Sequence, residues 1–352
     1  MHAFAVVEGD ISIREIEVEV PEVVGREVVL RVLHSGVCHS DVHLRDGFYD
    51  MGGGDRMYLR DRGFTYPLVL GHEMVGVVES AGPDAAVAVG DVRLVYPWIG
   101  CGECHRCATG NDNLCLTGRA LGVNRHGGYA ELVRVPDDKY LIEIEGIDPS
   151  VAATLACSGL TALAAVNKVL PLPPERPVVV IGAGGVGLSA VGMLNALGHK
   201  AICAVDINEA NLELARNAGA STTVIAGGDN GAADVMSATL GPVEAVIDLV
   251  NNSGSAELAV AVSAKGGHLV QCGLFGGRLT IPTALMPLKA LTLQGVFTGS
   301  LAELHEVVRL ARTGHLAHPP ILQGVLSREG VSDSLDRLAA GGVPGRIVLQ
   351  PN

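Results

Sequence analysis

Four cysteines are concentrated in the segment CGECHRCATGNDNLC, residues 101–115, of a chain that has eight in total. They follow the spacing C-x2-C-x2-C-x7-C and are Cys101, Cys104, Cys107 and Cys115. Four thiolates at this spacing suit a tetrahedral zinc ion, whereas cysteines three residues apart are poorly placed to form disulfides with each other. A ferredoxin-like iron–sulfur cluster uses similar spacing, so it stays an alternative, as do unliganded thiols. A closed four-cysteine zinc site has no open coordination position and would order a lobe of the fold.

Further metal-ligating residue types are spread along the chain. GVCHSDVH supplies Cys38, LGHEMVG supplies His72 and Glu73, and TLACSGLTA supplies Cys157. A catalytic zinc needs about three protein ligands and one position open to water or substrate. Each of these residues alone also fits a buried core position. Only the set as a whole indicates a second, catalytic metal site.

The polar residues around Cys38 are of the types that a proton-moving metal site needs. Asp41 could accept a hydrogen bond from the free ring nitrogen of His72 and fix its tautomer. Ser40 could hydrogen-bond the oxygen at the open zinc position, and His43 could pass the proton to solvent. The same segment also fits a helix start capped by Ser40 or Asp41, and both interpretations can hold together.

The segment RPVVVIGAGGVGLSAVGMLNALG has the pattern of a nucleotide-binding turn. A β-branched run is followed by G-x-G-x-x-G, at Gly182, Gly184 and Gly187, and then by a helix-like apolar pattern. Gly182 permits the tight turn, Gly184 lets the backbone approach a pyrophosphate at the helix N-terminus, and Gly187 allows close packing of helix on strand. With AICAVDIN as the next strand, the segment predicts a βαβ unit.

An acidic residue closes that next strand. Asp206 lies 19 residues after Gly187, where a carboxylate would bind the hydroxyls of the adenosine ribose. Ile207 and Asn208 follow it, so no arginine is at hand for a 2′-phosphate, and NAD is predicted over NADP. The alternative is a structural glycine turn with Asp206 as a helix cap.

Length and composition indicate what kind of protein positions these residues. A chain of 352 residues with 48% hydrophobic residues and 46 glycines predicts two α/β domains. The net charge of −13 argues against nucleic-acid and membrane-surface partners. MHAFAVVEGD does not resemble a signal peptide, which predicts a cytoplasmic protein. The uncharged stretch 177–198 is long enough to span a bilayer, but its glycines predict a strand, a loop and a helix.

In their order along the chain, these motifs resemble the zinc-dependent alcohol dehydrogenases of the medium-chain dehydrogenase/reductase family. The resemblance covers essentially the whole chain and rests on GVCHSD, LGHEMVGVVESAG, GDVRLVYPWIGCGECHRCATGNDNLC, GGYAELVRVP, LACSGLTA and GAGGVG. It implies an α/β protein with a GroES-like, β-rich catalytic domain (1–155), a Rossmann NAD-binding domain with a doubly wound parallel sheet (156–292), and a C-terminal segment (293–352) that returns to the catalytic domain.

The resemblance also implies roles for individual residues. The catalytic zinc would lie on Cys38, His72 and Cys157, with Glu73 next to the metal and able to exchange with water. Ser40 and His43 match the positions of the proton relay. The structural zinc would be held by Cys101, Cys104, Cys107 and Cys115, and the cofactor by His39, Gly182, Gly184, Gly185, Val186, Gly187 and Asp206.

The reaction implied is the reversible oxidation of a primary or secondary alcohol to an aldehyde or ketone, with hydride transfer to NAD. Two zinc ions per chain and a homodimer or homotetramer are implied as well. The apolar run 281–299 would join Rossmann domains across a two-fold axis, although from its residues it could equally be an internal strand. Three other readings remain: a catalytically idle relative, a zinc-free quinone reductase, and a zinc-ribbon nucleic-acid module.

One segment departs from the family pattern. The connection between Cys38 and His72 is about ten residues longer than is usual for the family, a length more typical of functional than of idle loops. Its glycine-rich, aromatic-bearing part, from Phe48 to Phe64, is expected to border the substrate pocket.

Overall fold

A computed structural model describes residues 1–20, 22–228 and 230–352 of the chain. Its strands, in chain order, are β1 (His2–Val7), β2 (Asp10–Glu17), β3 (Val28–Val37), β4 (Phe48–Asp50), β5 (Arg56–Tyr58), β6 (Leu68–Val69), β7 (Glu73–Ala81), β8 (Val92–Val95), β9 (Leu132–Val135), β10 (Leu141–Glu143), β11 (Val178–Ile181), β12 (Ile202–Asp206), β13 (Thr222–Ile225), β14 (Val243–Asp248), β15 (Ser263–Gln271), β16 (Thr292–Gly295), β17 (Ile321–Val325) and β18 (Arg346–Gln350).

The α-helices are α1 (His39–Asp46), α2 (His105–Ala108), α3 (Pro149–Thr154), α4 (Leu160–Val169), α5 (Gly185–Ala196), α6 (Glu209–Ala218), α7 (Gly231–Ala238), α8 (Ser253–Val262), α9 (Leu285–Lys289), α10 (Leu301–Arg312) and α11 (Arg328–Ala340). A π-helical turn, Leu155–Gly159, joins α3 to α4. Short 3-10 helices cover Leu59–Arg62, Asp112–Leu114 and Asp138–Tyr140.

The N-terminal region is built from β-sheets. One sheet has the order β2-β1-β6, and a larger one has the order β10-β8-β7-β3-β18-β17, with β9 also pairing to β3. The C-terminal strand β18 runs antiparallel to β3 and pairs Ile347 with Val37. This pairing brings the end of the chain beside Cys38, although more than 300 residues separate the two along the sequence.

The middle of the chain forms a parallel sheet with the order β13-β12-β11-β14-β15-β16. This is a doubly wound order: strands are added on one side of β11 as far as β13, and β14 then starts the other side. The four residues of β11, VVVI, are all buried, as expected of a central strand covered on both faces. The β-rich domain and this Rossmann-type sheet confirm the predicted fold class, and 177–198 forms β11 and α5 as predicted.

The helical segment Pro149–Val169 connects the two regions. Within the described part of the chain it is the segment whose length and apolar composition would suffice to cross a membrane, and 83% of its apolar window is buried inside the protein. It therefore packs as a core helix. The predicted domain boundary after residue 292 cuts β16, whose pairing with β15 extends to Gly295. We propose that the Rossmann domain extends at least that far.

Candidate active site

Cys38 stands at the start of α1, where β3 ends. It is the N-cap residue of that helix, and its backbone N–H donates to Asp41 Oδ2 at 2.9 Å. Asp41 is the third residue of the helix, the position from which a carboxylate reaches back to the cap. The segment is therefore a capped helix start, but the N-cap is Cys38 and neither Ser40 nor Asp41 as predicted; Asp41 takes part from the third position of the helix.

Three of the predicted catalytic-zinc ligands come together from separate elements. Cys38, His72 and Cys157 place their ligand atoms within 4.8 Å of one another, and the two sulfurs lie 4.0 Å apart. All three residues are buried. The Nε2 atom of His72 is buried and has no hydrogen-bond partner within the described residues. Two thiols and an unpartnered imidazole nitrogen form the donor set that a catalytic zinc uses, so the residues fit the metal.

Asp41 orients His72 through its other ring nitrogen. Nδ1 of His72 lies 3.1 Å from Asp41 Oδ1, and because a carboxylate only accepts, Nδ1 carries the proton. Burial opposes protonation, but the carboxylate raises the pKa of His72 well above its ordinary value. Asp41 also accepts from the Gly71 N–H at 3.3 Å and from the Tyr129 hydroxyl at 3.0 Å. Its role as the partner of His72, inferred from residue type, matches this geometry.

Glu73 is fully buried beside the cysteines but points elsewhere. Its Oε1 accepts from the Ser158 N–H at 3.1 Å, and its Oε2 is paired with Arg346. The π-helical turn that contains Ser158 leaves this N–H free to bond outside the helix, as such turns often do at functional sites. Burial raises the pKa of Glu73 to about 7, against the lowering effect of Arg346. In this conformation Glu73 is not in the ligand triplet, and its exchange onto the metal remains a prediction.

The four cysteines at residues 101–115 form a second cluster. All four sulfurs lie within 4.8 Å of one another, with pairs at 3.6, 3.8 and 3.9 Å. A zinc–sulfur bond of about 2.3 Å implies sulfur separations of about 3.8 Å in a tetrahedron, which matches these pairs. An iron–sulfur cluster spreads its thiolates over several irons and would hold them further apart. All eight cysteines lie in the described residues and are free thiols, as expected for metal ligands.

The glycine fingerprint forms the turn between β11 and α5. Gly182 has φ +92°, a conformation that favours glycine. A Cβ on Gly187 would lie 1.8 Å from the Gly182 carbonyl oxygen, whereas one on Gly184 would meet nothing within 4 Å. Space is therefore left at Gly184 for a ligand at the N-terminus of α5, which begins at Gly185 and Val186.

Asp206 closes β12 beside this turn. Its Oδ2 accepts from the Ala183 N–H at 2.6 Å, and its Oδ1 accepts from the Asn208 N–H at 2.9 Å and from Asn211. The carboxylate is thus fixed at the edge of the turn, in the position predicted for contact with a ribose. The cap of the following helix is Asn208, so the alternative of Asp206 as that cap is wrong.

Three predicted residues share helix α1. His39 lies against Phe275 of the Rossmann domain with 4.7 Å between ring centroids, and against His43 at 5.2 Å. His43 in turn contacts the ring of Tyr49 at 5.1 Å. Burial lowers the pKa of both histidines. Ser40 is half-buried one helical turn from His43, on the same side of α1.

A cavity of about 720 Å³ lies between the two domains. Trp98 belongs to its wall and also contacts the His72 ring, with 5.5 Å between centroids, which places the cavity next to the metal-ligand triplet. The long connection borders this cavity through Tyr49, Met57 and Phe64 among others, and its predicted place at the substrate pocket stays a prediction.

Several residues of the site were not predicted from the sequence. Arg346 and Ser158 hold Glu73, and Tyr129 holds Asp41. Tyr129 and Ser158 lie in the family-like segments GGYAELVRVP and LACSGLTA but were given no role there, and Arg346 lies outside all of these segments. Trp98 did carry a signal, because it is the single tryptophan of the chain and precedes Cys101 by three residues.

Known proteins resemble both parts of this architecture. Residues 2–146 match the family model of the alcohol dehydrogenase GroES-like domain, and residues 185–313 match that of the zinc-binding dehydrogenases. A NAD-dependent alcohol dehydrogenase of Sulfurisphaera tokodaii is 34% identical over 100% of both chains, and one of Sulfolobus acidocaldarius is 36% identical over 95% of both. The crystal structure of an alcohol dehydrogenase from Aeropyrum pernix superposes with a TM-score of 0.90 at 30% identity over 100% of both chains. The chain therefore belongs to the zinc-dependent, NAD-linked alcohol dehydrogenases of the medium-chain dehydrogenase/reductase family.

Proposed function

We propose that Cys38, His72 and Cys157 hold the catalytic zinc of an enzyme that reversibly oxidises primary or secondary alcohols to aldehydes or ketones. One observation carries the assignment of ligands: His72 Nε2 is buried and unpartnered while the two thiols lie around it. When bound, zinc supplies a Lewis acid that polarises the alcohol oxygen. Bound NAD supplies the hydride acceptor. The four-cysteine cluster holds the second zinc and orders its lobe.

The protein residues position the substrate and move its proton. Trp98 packs on the His72 ring and forms the inner wall of the cavity, so it limits where an alcohol carbon can lie. Ser40 accepts the hydroxyl proton of the substrate as it donates its own proton toward His43, and His43 accepts that proton and releases it to solvent. The lowered pKa of His43 favours the neutral imidazole, which is the form able to accept a proton.

Glu73 and Arg346 form a buried ion pair between the metal ligands and the cofactor turn. A Cβ on Gly185 would lie 2.4 Å from Arg346 Cδ, so this arginine packs directly under the start of α5. Glu73 balances its charge, and Gly36 is required because any side chain there would collide with the Glu73 carboxylate. The pair thereby ties the metal-ligand region to the nucleotide-binding turn.

The residues around the nucleotide-binding turn favour NAD over NADP as the cofactor. Asp206 presents a fixed carboxylate where the ribose hydroxyls would lie, and a 2′-phosphate there would meet a negative charge. His39 lies on α1 facing the Rossmann loop through Phe275, which suits a contact with the cofactor phosphates.

The assembly is proposed to be a homodimer, or a homotetramer built from dimers, in the cytoplasm. β16 is the edge strand of the Rossmann sheet, and its four residues are all exposed. Leu288, shortly before this strand, is 70% exposed. An exposed edge strand pairs readily with a second copy across a two-fold axis. Leu293→Lys should shift the sedimenting species toward the monomer, and an unchanged species would reject this interface. The free thiols fit a reducing compartment.

The test of the activity is an NADH absorbance assay of the zinc-replete protein with a panel of primary, secondary, allylic and benzylic alcohols. Cys38→Ser should abolish turnover and reduce the zinc content from two ions per chain to one. Cys203→Ser is the matched control, because Cys203 is a buried cysteine of β12 away from both clusters. Equal activity of Cys38→Ser and Cys203→Ser would refute the ligand assignment, and a wild-type protein with two zinc ions but no turnover of any alcohol would refute the activity.

A further inference from the structure

Residues 48–58 of the long connection between Cys38 and His72 form a β-hairpin. β4 and β5 pair Phe48 with Tyr58 and Asp50 with Arg56. Its base is fixed to the catalytic domain, because the Leu59 N–H donates to the Gly47 carbonyl at 3.0 Å. The hairpin therefore projects from the helix that carries Cys38.

The tip of the hairpin lies against the Rossmann domain. A Cβ on Gly52 would lie 2.5 Å from the Gly277 carbonyl carbon, and one on Gly276 would lie 2.6 Å from the Asp50 carbonyl oxygen. Two backbones approach this closely only where side chains are missing. Asp55 and Arg278 add an exposed ion pair at 2.5 Å. We call this cross-domain contact the clasp.

The clasp borders the cavity through Asp50, Gly276, Gly277 and Arg278, and the cavity wall is mainly apolar. Its apolar members include Tyr49, Met51, Met57, Leu59 and Phe64 of the long connection and Trp98. Among the charged members, Asp50 accepts from the Gly52 N–H, Asp112 accepts from the Tyr140 hydroxyl, and Arg278 pairs with Asp55. Arg62 is exposed to solvent. The wall also carries amide side chains, and Asn113 Oδ1 is buried without a hydrogen-bond partner among the described residues. The side that the long connection contributes is mainly apolar, with only Asp50 and Arg62 charged.

We propose that the hairpin is the specificity-determining element of this enzyme and that its substrates are alcohols with a bulky apolar substituent. The inference rests on the proposed activity of the site. The cavity of about 720 Å³ also borders Gln271 and Gly273 at the end of β15, so it is shared by the alcohol and the nicotinamide of bound NAD, and the long connection lines the side away from that strand end. A large apolar substituent buries more surface there, and burial contributes about 25 cal/mol per Å². Met51, Met57 and Phe64 of the long connection contact this substituent.

The glycines of the hairpin tip offer a matched pair of variants. Gly52 and Gly54 both have positive φ, +80° and +87°, so alanine at either position strains the backbone to a similar degree. Only at Gly52 does the added Cβ collide with Gly277, since a Cβ on Gly54 meets nothing within 4 Å. Gly52→Ala therefore opens the clasp, and Gly54→Ala controls for the strain.

Turnover is measured with 1-cyclohexylethanol and ethanol. We expect wild type to favour the bulky alcohol in kcat/KM, and Gly52→Ala to lower that preference by about tenfold or more, the scale on which apolar pockets discriminate. Gly54→Ala should leave the preference within about twofold, and Met57→Ala should lower it as Gly52→Ala does. A wild type that prefers ethanol, or a preference unchanged in Gly52→Ala and Met57→Ala, overturns the proposal.

A second readout separates this inference from the proposed activity. Trp98 is the single tryptophan and lies in the cavity wall, so its emission reports alcohol binding without turnover. If no alcohol is oxidised, the proposed activity fails. The cavity assignment still stands if 1-cyclohexylethanol changes the Trp98 emission at lower concentration than ethanol and Gly52→Ala weakens that binding. Equal titration by both alcohols, or an unchanged dissociation constant in Gly52→Ala, overturns it.

Discussion

Replacing Tyr129 by phenylalanine should loosen the catalytic zinc and leave the structural zinc in place. The Tyr129 hydroxyl is buried and donates to Asp41 Oδ2 at 3.0 Å. Asp41 orients the proposed ligand His72 through Nδ1. The variant removes one oxygen and keeps the aromatic ring, which packs where a Cβ on Gly71 would lie 2.6 Å from its Cδ1 atom. The perturbation therefore acts on the hydrogen bond rather than on the packing.

The expected magnitude follows from the hydrogen bonds of Asp41. Its carboxylate accepts from Cys38 N, Gly71 N, His72 Nδ1 and the Tyr129 hydroxyl, so the variant leaves three donors of four. A hydrogen bond to a charged group contributes about 1.5–3 kcal/mol. Loss of an outer partner of a metal-binding histidine costs about 10–100-fold in metal affinity. Because three donors remain, we expect the dissociation constant of the catalytic zinc to rise about tenfold, or about 1.4 kcal/mol.

The assay is competition with a zinc chelator, with zinc counted per chain at each chelator concentration. The four-cysteine cluster is an internal control, because it shares neither Asp41 nor His72 with the catalytic site. The variant should lose its catalytic zinc at about tenfold lower chelator concentration than the wild type does. The structural zinc should be released at the same chelator concentration in both proteins. Zinc-saturated enzyme should keep its kcat within a few-fold.

Two outcomes would refute this reasoning. Unchanged release of both ions would mean that Tyr129 does not position Asp41 for metal binding. Earlier release of both ions, together with a lower melting temperature, would mean that the hydroxyl supports the fold as a whole.

Further predictions concern the structural cluster and the cofactor turn. Cys104→Ser should release the structural zinc and lower the melting temperature while the catalytic zinc stays bound; loss of both ions would contradict separate sites. Gly187→Ala should lower the melting temperature because its Cβ would collide with the Gly182 carbonyl; an unchanged temperature would contradict the close packing. Gly184→Ala should leave the melting temperature unchanged and raise the KM for NAD, since only a ligand fills that space; an unchanged KM would place the pyrophosphate elsewhere. Asp206→Ala should raise the KM for NAD and lower that for NADP, by about tenfold each, and steady-state kinetics with both cofactors decides.

Much of the site was predictable because several of its residues lie close together in short segments of the chain. The four cysteines lie within fifteen residues, and their spacing alone fixes how a chain can wrap around one ion. The βαβ unit is equally local, since strand, glycine turn and helix follow one another directly. Cys38 and His72 could be paired from residue types and family resemblance, and the structure brings them together with Cys157.

The domain boundary and the conformation of Glu73 depend on long-range pairing. The boundary after residue 292 cut β16 because strand partners are set by the sheet and not by the local pattern. The orientation of Glu73 was missed for the same reason. Its partner Arg346 begins β18, a strand that joins the catalytic sheet only after the chain has completed the Rossmann domain.

The spacing of the four-cysteine cluster, the nucleotide-binding turn and the α/β class could be predicted from residues that are neighbours in the chain. Folding was needed to reveal that Tyr129 donates to Asp41, that Arg346 pairs with Glu73, and that the hairpin tip at Gly52 meets Gly277. These contacts join residues that lie far apart along the chain. They depend on how sheets and domains pack, and packing of that range leaves no local pattern in a single sequence.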